Sequence, residues 1–259
     1  MTLLLALLLA ADPPKPPPDP LTVADRIEPA GWNADETRVA LRLFGNETGG
    51  GENVECPGYV DAAGKKFLGG LTLVVLENGK LAQTFPIQDP PNWEAKSCTS
   101  AEVAKERLAK AKEAFAQLGI DLKQPGALLP INRARSDEKK KLRKQDDATV
   151  RTWKDTFTAG PALEVRFEVK EDCLEDTYCT NTSKLTWKWG DKGGNQALPP
   201  IEFSRNGAGR FEWKLSAAVE SPSKKLLLPF IDGHHSHMRG DTARVQLLDT
   251  LSNRGPTLK

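Results

Sequence analysis

Three histidines cluster near the C-terminal end of the chain. They are its only histidines, and they lie in the segment Asp-Gly-His-His-Ser-His-Met-Arg-Gly-Asp, which ends at Asp241. Neutral imidazole and carboxylate groups are ligands that Zn²⁺ and other divalent transition metals accept. On a strand, His235 and His237 would point to the same side. One hypothesis is therefore a divalent-metal site in a metal-dependent enzyme, built from His234, His235, His237 and Asp241.

The same segment also has the composition of a polar hairpin loop. Gly233 and Gly240 bracket it, and apolar runs end at Phe230 and begin near Ala243. A metal site would further need outer groups that orient its ligands, which the sequence does not show. We favour the loop and assign neither a cofactor nor a catalytic residue, since no Ser-His-Asp or Cys-His set is readable. A non-catalytic protein is the favoured class.

The chain contains four cysteines, and an even number suits disulfides formed in an oxidising compartment. Four cysteines allow three pairings. We favour Cys173–Cys179, which flanks a short polar stretch, together with Cys56–Cys98. Zinc binding is the weaker alternative because structural zinc sites use two closely spaced cysteine pairs, and only one pair here is close. A second alternative to the disulfides is that Cys98 is a nucleophile, because the N-terminus of a helix predicted just after it would stabilise a thiolate.

The chain begins with an apolar run, Met1 to Ala11, that ends in small residues. This run is much shorter than the roughly 20 residues that span a bilayer, and it has the pattern of a signal peptide with cleavage near its end. A Pro-rich stretch, 12–20, follows and predicts an extended spacer. We therefore predict a periplasmic or secreted protein that is not an integral membrane protein once its leader, 1–11, is removed.

The net charge of the chain is only +1. A dedicated nucleic-acid binder carries a strong basic excess, so nucleic acid is not an expected partner. An envelope polymer or another protein is the partner class left open. Basic residues concentrate in 131–148, where we expect a solvated helix or linker, and contact with an acidic surface is the alternative.

Two tryptophans alternate with polar residues after Leu185, which predicts a strand with both rings on one side. If that side is exposed, Trp187 and Trp189 form a flat platform for sugar rings, and the protein is a carbohydrate-binding module. If it is buried, they pack with Phe211 and Trp213 of a neighbouring strand. We favour burial in the core.

The elements that must position these residues are mostly strands. In the block 21–130, alternating apolar residues predict hairpins, one of them turning at Asn78-Gly79. An amphipathic helix then follows, capped by Thr99 and ended by Gly119. Its apolar face consists of Ala104, Leu108, Ala111, Phe115 and Leu118, and we expect that face to pack on the first sheet.

The block 149–259 again alternates at strand period and predicts an antiparallel β domain. The fold class is therefore mainly β (α+β), with antiparallel hairpins in sandwich-like sheets and one helix on the N-terminal half. A weak internal repeat is also visible, because 31–41 resembles 219–228 in having a polar turn followed by an apolar strand. Propeller blades begin in this way, but two copies are too few to close a propeller. Generic hairpin chemistry is the alternative.

Residues 27–129 resemble a bacterial family of predicted secreted proteins of unknown function. The likeness is carried by the turn that begins at Gly31-Trp32, by the Ala-rich helix, and by Pro125-Gly126 beyond it. In that family the turn usually reads Ser-Pro-Asp-Gly, whereas here Asp35 is followed by Glu36. The resemblance implies export and a β-rich fold, and it implies no activity.

Overall fold

The computed structural model describes most of the chain between its two ends. The described residues are 20–22, 24–45, 59–60, 66–67, 69–90, 98–143, 148–174, 178–204, 211–235, 244–247 and 251–252, and of these the side chains of 22, 59–60, 66–67, 143, 203–204, 234–235, 244–247 and 251–252 are not described. The leader, 12–19 of the spacer, Cys56, His237 and Asp241 therefore lie outside the described residues.

The described chain is built mainly of antiparallel strands, as the alternation predicts, with one α-helix, α1 (Ala101–Gln117), and a short 3₁₀ turn at Pro20–Thr22. In chain order the strands are β1 (Arg26–Asn33), β2 (Arg38–Gly45), β3 (Tyr59–Val60), β4 (Lys66–Phe67), β5 (Gly70–Glu77), β6 (Lys80–Gln88), β7 (Ile120–Asp121), β8 (Ala127–Leu128), β9 (Ile131–Arg135), β10 (Lys139–Arg143), β11 (Ala148–Ala159), β12 (Leu163–Leu174), β13 (Tyr178–Trp189), β14 (Lys192–Ala197), β15 (Ile201–Ser204), β16 (Phe211–Glu220), β17 (Leu226–His235), β18 (Arg244–Leu247) and β19 (Leu251–Ser252).

Three larger sheets organise these strands. The helix-covered sheet has the order β6-β5-β2-β1-β7, and the central sheet has the order β18-β17-β16-β8, with β19 also on β17. The long-strand sheet has the order β10-β11-β12-β13-β14, with β9 on β11 and β15 on β13. The strands β3 and β4 form a separate pair.

The helix and the three sheets stack as four layers, because each sheet contributes to a shared apolar cluster. Phe115 of the helix packs with Phe44 and Val75 of the helix-covered sheet. The other side of that sheet packs against the central sheet, whose opposite side packs against the long-strand sheet. Both sides of two sheets are thus buried, which explains the continuous apolar runs in β2, β5 and β17. The N-terminal and C-terminal blocks consequently share a core.

The helix confirms the apolar face expected from its spacing. Ala111 and Phe115 are buried, and Ala104, Leu108 and Leu118 pack around them. Gly119 follows with φ +70°, the left-handed conformation that commonly ends a helix.

The N-terminal cap of the helix differs by one residue from the expected position. The cap is Ser100, whose Oγ accepts a hydrogen bond from the Val103 amide at 3.3 Å. The hydroxyl of Thr99 instead pairs with Asp89, donating to its carboxylate at 3.1 Å and accepting from its backbone amide at 2.9 Å. Thr99 thus ties the helix start to the end of β6.

Among the described residues, no helix is both long and apolar enough to cross a bilayer.

The Asn78-Gly79 turn forms as predicted between β5 and β6. Asn78 has φ 50° and Gly79 has φ 78°, and Glu77 pairs with Lys80 across the turn. Two consecutive positive φ angles are typical of the tight turns that match the twist of a hairpin.

The described residues of 131–148 include two strands, β9 and β10, where we expected a helix or linker. β9 and β10 both pair along β11, at different stretches of it. A helix is disfavoured because it would leave the ladder groups along this side of β11 unpaired. The lysines of β10 instead place positive charge along an exposed edge strand, which is a common protection against edge-to-edge pairing.

The first copy of the internal repeat turns between β1 and β2. The amide of Glu36 donates to the Asn33 carbonyl at 3.0 Å, and the amide of Arg38 donates to the Asn33 side chain at 2.8 Å. The amide of Thr37 donates to the Asp35 carboxylate at 3.2 Å. Glu36 has φ 59°.

The second copy turns between β16 and β17 with the same pattern. The amide of Lys224 donates to the Ser221 carbonyl at 2.9 Å, and the amide of Leu226 donates to the Ser221 side chain at 3.2 Å. The amide of Lys225 donates to the Ser223 hydroxyl at 3.3 Å, and Lys224 has φ 60°. The repeat is therefore a repeated structural unit, with Ser221 at the position of Asn33.

The strands around the two turns also correspond. Gly31 pairs with Ala40 in the first hairpin, as Val219 pairs with Leu228 in the second, and each hairpin carries one bulge in its first strand. Each second strand then pairs with a later strand, β5 in one sheet and β18 with β19 in the other. The two blade-like units stack face to face as the helix-covered and central sheets.

The two repeated turns contact each other through Glu36. Its carboxylate accepts hydrogen bonds from the hydroxyl of Ser221 at 2.9 Å and from the amide and hydroxyl of Ser223 at 2.8 and 2.5 Å. Partial burial raises the pKa of Glu36, but these hydrogen bonds and the charge of Lys225 outweigh it. The pKa of Glu36 therefore lies below its ordinary value.

The Glu36 contact should make stability depend on pH. Because its folded-state pKa is lowered, the stabilisation is present above the unfolded pKa of about 4.3 and is lost as pH falls through the folded value. We expect Glu36→Gln to lower the free energy of unfolding by about 1–2 kcal/mol at neutral pH, and less near pH 3. Urea denaturation at both pH values measures the difference. The control is Glu113→Gln, on the exposed side of the helix. If Glu36→Gln lowered the free energy of unfolding equally at both pH values, the role given to the ionised Glu36 carboxylate would be contradicted.

Candidate functional site

The Cys173–Cys179 disulfide forms as predicted. The two cysteines occupy directly opposite positions on β12 and β13, and both are buried. Cys98 is also disulfide-bonded, while Cys56, the partner predicted for it, lies outside the described residues. A nucleophilic Cys98 is therefore wrong for this state of the protein, since a disulfide sulfur carries no thiolate.

A carboxylate lies beside the Cys173–Cys179 bridge. Oε1 of Glu171 is 3.7 Å from the sulfur of Cys173, and the potential ligand atoms of Glu171, Cys173 and Cys179 all lie within 4.8 Å of one another. Both sulfurs are bonded to each other, so neither can act as a thiolate ligand. This cluster belongs to the disulfide and its packing.

Removal of this disulfide should destabilise the protein by a moderate amount. The chain-entropy model for so short a loop gives about 2 kcal/mol for the Cys173→Ala/Cys179→Ala variant. Chemical denaturation under non-reducing conditions measures the loss, and the wild type in reductant should move in the same direction. An unchanged denaturation midpoint in the double variant would show that the β12–β13 hairpin does not need the bridge.

The histidine segment begins inside β17. The strand extends to His235, with His234 paired to Glu212 and His235 paired to Phe211 by backbone register. Their side chains, together with His237 and Asp241, lie outside the description, so the metal-site hypothesis stays a prediction. Strand β17 continues two residues past Gly233, further than a loop bracketed by Gly233 would allow.

Asp232, which precedes the histidines, has a partner in the central sheet. Its Oδ2 lies 2.9 Å from the ammonium group of Lys214. Its Oδ1 is buried and has no hydrogen-bond partner within the described part of the chain. The buried carboxylate is thus half satisfied, by a lysine on the paired strand.

Trp187 and Trp189 lie on the buried side of the long-strand sheet. Trp189 is buried and Trp187 packs against the same apolar cluster, which also contains Phe211 and Trp213. Gly194 lies opposite Trp187, and a Cβ at that glycine would be 2.8 Å from the indole nitrogen. The two rings therefore occupy the packed side favoured from the sequence.

A charged cluster lies where the long-strand sheet meets the central sheet. The Asp155 carboxylate is fully buried, and Oδ1 accepts hydrogen bonds from the Arg133 guanidinium at 3.1 and 3.2 Å. Oδ2 of Asp155 accepts from the indole N–H of Trp153 at 3.0 Å. Arg135 contacts Asp155 at 3.4 Å and donates to Glu212 of β16 at 2.8 Å. The cluster joins the two sheets through these contacts.

The charges in this cluster set the protonation state of Glu212. Burial raises the pKa of Glu212. The hydrogen bond from Arg135 and the positive charges of Arg133 and Arg135 lower that pKa, and their effect is the larger one. The pKa of Glu212 is therefore below its ordinary value, and the group is ionised at neutral pH. Its role in the structure is to hold the two arginines against the central sheet.

The opposite side of the long-strand sheet faces solvent, and we call it the Thr/Lys face. Along β11, β12 and β13, buried and outward residues alternate, because the described residues cover only one side of this sheet. The outward polar residues are Asn132 on β9; Lys139 and Lys141 on β10; Thr152, Lys154, Thr156 and Thr158 on β11; Glu164, Arg166, Glu168, Lys170 and Asp172 on β12; Thr180, Thr182, Lys184, Thr186 and Lys188 on β13; Asn195 on β14; and Glu202 on β15.

Ion pairs on this face run mainly across and along β12. The Lys154 ammonium donates to the Glu168 carboxylate at 2.7 Å, and Arg166 contacts Glu164 at 3.1 Å. The hydrogen bond from Lys154, and then its charge, hold the pKa of Glu168 below its usual value. The acidic groups of β12 are thus neutralised by neighbouring basic groups.

An aromatic side chain stands at one end of the Thr/Lys face. Tyr178 is 68% exposed and pairs across the hairpin with Leu174, which is 49% exposed. The next pair along the strands is the Cys173–Cys179 disulfide, which ties the backbone directly beneath the ring. Tyr178 therefore offers an apolar surface at a fixed position.

The alternation in the sequence predicts the strands of this face, but it does not mark their outward residues as a binding surface. The signal was present, since threonine and lysine alternate with buried residues along β13 in the same pattern that placed the tryptophans. The charged cluster left no such signal, because Arg133 and Glu212 lie 79 positions apart in sequence.

Comparisons with known proteins found no matching family model, no matching curated protein and no matching solved structure.

Proposed function

We propose that this is an exported, non-catalytic binding or structural protein of the cell envelope or the surrounding medium. The observation that carries the proposal is the buried Cys173–Cys179 disulfide, fixed between directly opposite positions of two neighbouring strands. Such bridges persist in oxidising compartments and are rare in the cytosol. The apolar start of the chain and the Pro-rich spacer support the same compartment.

The arrangement of the charged groups supports a binding or structural role. Asp155 and Glu212 are held by two arginines, and Asp232 is held by a lysine. These contacts join strands and sheets, and at Glu212 the two arginines hold the pKa of the carboxyl below its ordinary value. The Thr/Lys face, in contrast, is exposed and open to a partner.

The likeness of residues 27–129 to secreted proteins of unknown function supports export in the same way. We propose this kinship on the turn at Gly31-Trp32 and on the Pro125-Gly126 pair. In the structure, Nε1 of Trp32 donates to the carbonyl of Pro125 at 3.1 Å, so the two motifs contact each other.

Export can be tested on the intact chain in a bacterial host. We expect the protein in the periplasm or medium, with a mature N-terminus near position 11 by mass spectrometry and no alkylated cysteine before reduction. The matched control is Leu5→Arg/Leu8→Arg, which interrupts the apolar run and should retain the protein in the cytosol. Mature material beginning at Met1, or free thiols in the native protein, would overturn the proposal.

A further inference from the structure

We infer that the Thr/Lys face binds an extended acidic polysaccharide, one whose sugars carry carboxylate groups. The inference rests on the proposed binding function and names its surface and its ligand chemistry. Among the described residues, the face carries seven basic side chains and four acidic ones, Glu164, Glu168, Asp172 and Glu202.

The excess positive charge lies toward the two long sides of the face. Three of the four acids lie on β12 and are close to basic neighbours. Lys139 and Lys141 on β10 and Lys188 on β13 have no ion pair within the described part of the chain. A bound polyanion would therefore meet these lysines without first breaking an ion pair.

The outward residues of β13 form a continuous track that suits an extended polymer. From Tyr178 the track continues through Thr180, Thr182, Lys184, Thr186 and Lys188. Alternate residues of an antiparallel strand are about 7 Å apart, so the track is about 34 Å long. Threonine hydroxyls can both donate to and accept from sugar hydroxyls, while the lysines pair with carboxylates.

Tyr178 supplies the contact that a purely electrostatic surface lacks. Its ring is exposed, and the disulfide at Cys179 fixes its backbone before any ligand binds. An aromatic ring can cover the apolar side of a sugar ring, and a rigid ring loses little entropy when it does so. The track thus begins with a stacking position and continues with hydroxyl and ammonium groups.

The same observations disfavour two other anionic partners. A membrane surface is bound by apolar side chains that insert below the headgroups, whereas the described middle of this face is polar. Single-stranded nucleic acid is bound by several stacked aromatic rings, and the β13 track carries one. An acidic glycan uses the hydroxyls, the lysines and the single ring together.

The test is a calorimetric titration of the intact oxidised protein with polygalacturonate. Neutral dextran and anionic phosphatidylglycerol vesicles are titrated in parallel. We expect binding to polygalacturonate alone, and loss of that binding in about 1 M salt, where charges are screened beyond about 3 Å. Tyr178→Ala and Lys184→Gln/Lys188→Gln should each weaken binding by about fivefold or more.

The control variant is Lys105→Gln/Lys112→Gln, which removes two exposed lysines from the helix on the far side of the stack. It should bind like the wild type, and unchanged thermal unfolding should show that all variants fold. Equal weakening by the control, equal binding to vesicles, or no binding to polygalacturonate would each overturn the inference. Export is measured separately, so a failed titration with an exported, disulfide-bonded protein would overturn this inference and leave the proposed function standing.

Discussion

Replacement of Asp155 by asparagine is expected to lower the free energy of unfolding by about 3 kcal/mol. Asparagine has nearly the same shape, so the packing around the side chain is kept and the change is electrostatic. It removes the negative charge that faces Arg133 at 3.1 Å and Arg135 at 3.4 Å. The side chain at 155 is fully buried, so water cannot replace the lost contact at that position.

The size of this effect is set by the exposure of the two arginines. Loss of one partner from a fully buried pair costs about 3–5 kcal/mol. Here the arginine side chains are 37% and 28% exposed, so water can rehydrate part of each guanidinium. The lower end of the range is therefore expected. Urea denaturation at neutral pH measures it.

An exposed ion pair in the same sheet provides the matched control. Glu168 lies 2.7 Å from Lys154, closer than Asp155 lies to either arginine, but both partners are open to solvent. Exposed pairs contribute about 0.2–1 kcal/mol, so Glu168→Gln should change the stability little. If the two variants lose the same stability, burial is not what makes the Asp155 cluster important.

The seam around Asp155 also shows where sequence patterns stop being informative. Alternation along 149–159 indicates which residues of β11 are covered, and it gives no sign of what covers them. Arg133 and Arg135 lie in a segment whose composition is that of a solvated linker or helix. Only pairing with β11 brings them over Asp155. Long-range pairing of this kind depends on strands whose order the sequence does not show.

Local features could be predicted well because their physical cause is local. The apolar face of the helix depends on residues that lie about one turn apart along it. The turn at Asn78-Gly79 and the Cys173–Cys179 pair each depend on residues of a single hairpin. The repeat was visible for the same reason, since its turn chemistry is contained in six residues, 33–38 and 221–226. The helix cap moved from Thr99 to Ser100 because a tertiary partner, Asp89, engages the threonine hydroxyl.

The stacking of three sheets could not be predicted from alternation. Strands covered on both sides lose the polar half of the pattern, as in Leu71 to Leu76 of β5 and Leu226 to Leu228 of β17. Such runs indicate burial without saying which layers provide it. The Thr/Lys face is the complementary case, because β13 keeps its alternation where one side of the sheet remains open.

Replacement of Gly126 by alanine is expected to destabilise the protein by about 3 kcal/mol or more. Gly126 has φ +75° and lies in the segment that leads from β7 of the helix-covered sheet into β8 of the central sheet. A Cβ at this position would collide with the carbonyl oxygen of Glu220 and would lie 2.8 Å from the indole nitrogen of Trp32. The first of these neighbours is backbone in a paired strand, so it cannot move aside cheaply.

The collision would act on the junction between the two repeated units. Trp32 belongs to β1 and Glu220 to β16, the corresponding first strands of the two hairpins. The hydrogen bond from Trp32 to the carbonyl of Pro125, at 3.1 Å, and the pairing of Glu220 with Ala127 would both be disturbed. The loss should therefore include tertiary contacts as well as backbone strain.

Gly190→Ala separates these two contributions. Gly190 has φ +62°, and a Cβ there would meet nothing within 4 Å. Its substitution carries only the cost of a left-handed alanine, about 1–2 kcal/mol. We expect urea denaturation to show a larger loss of stability for Gly126→Ala. Equal losses would mean that the backbone around Gly126 can shift and relieve the contacts with Trp32 and Glu220. In that case the close contact between the two repeated units would not depend on a missing side chain at 126, and the Pro125-Gly126 motif would matter only as a turn.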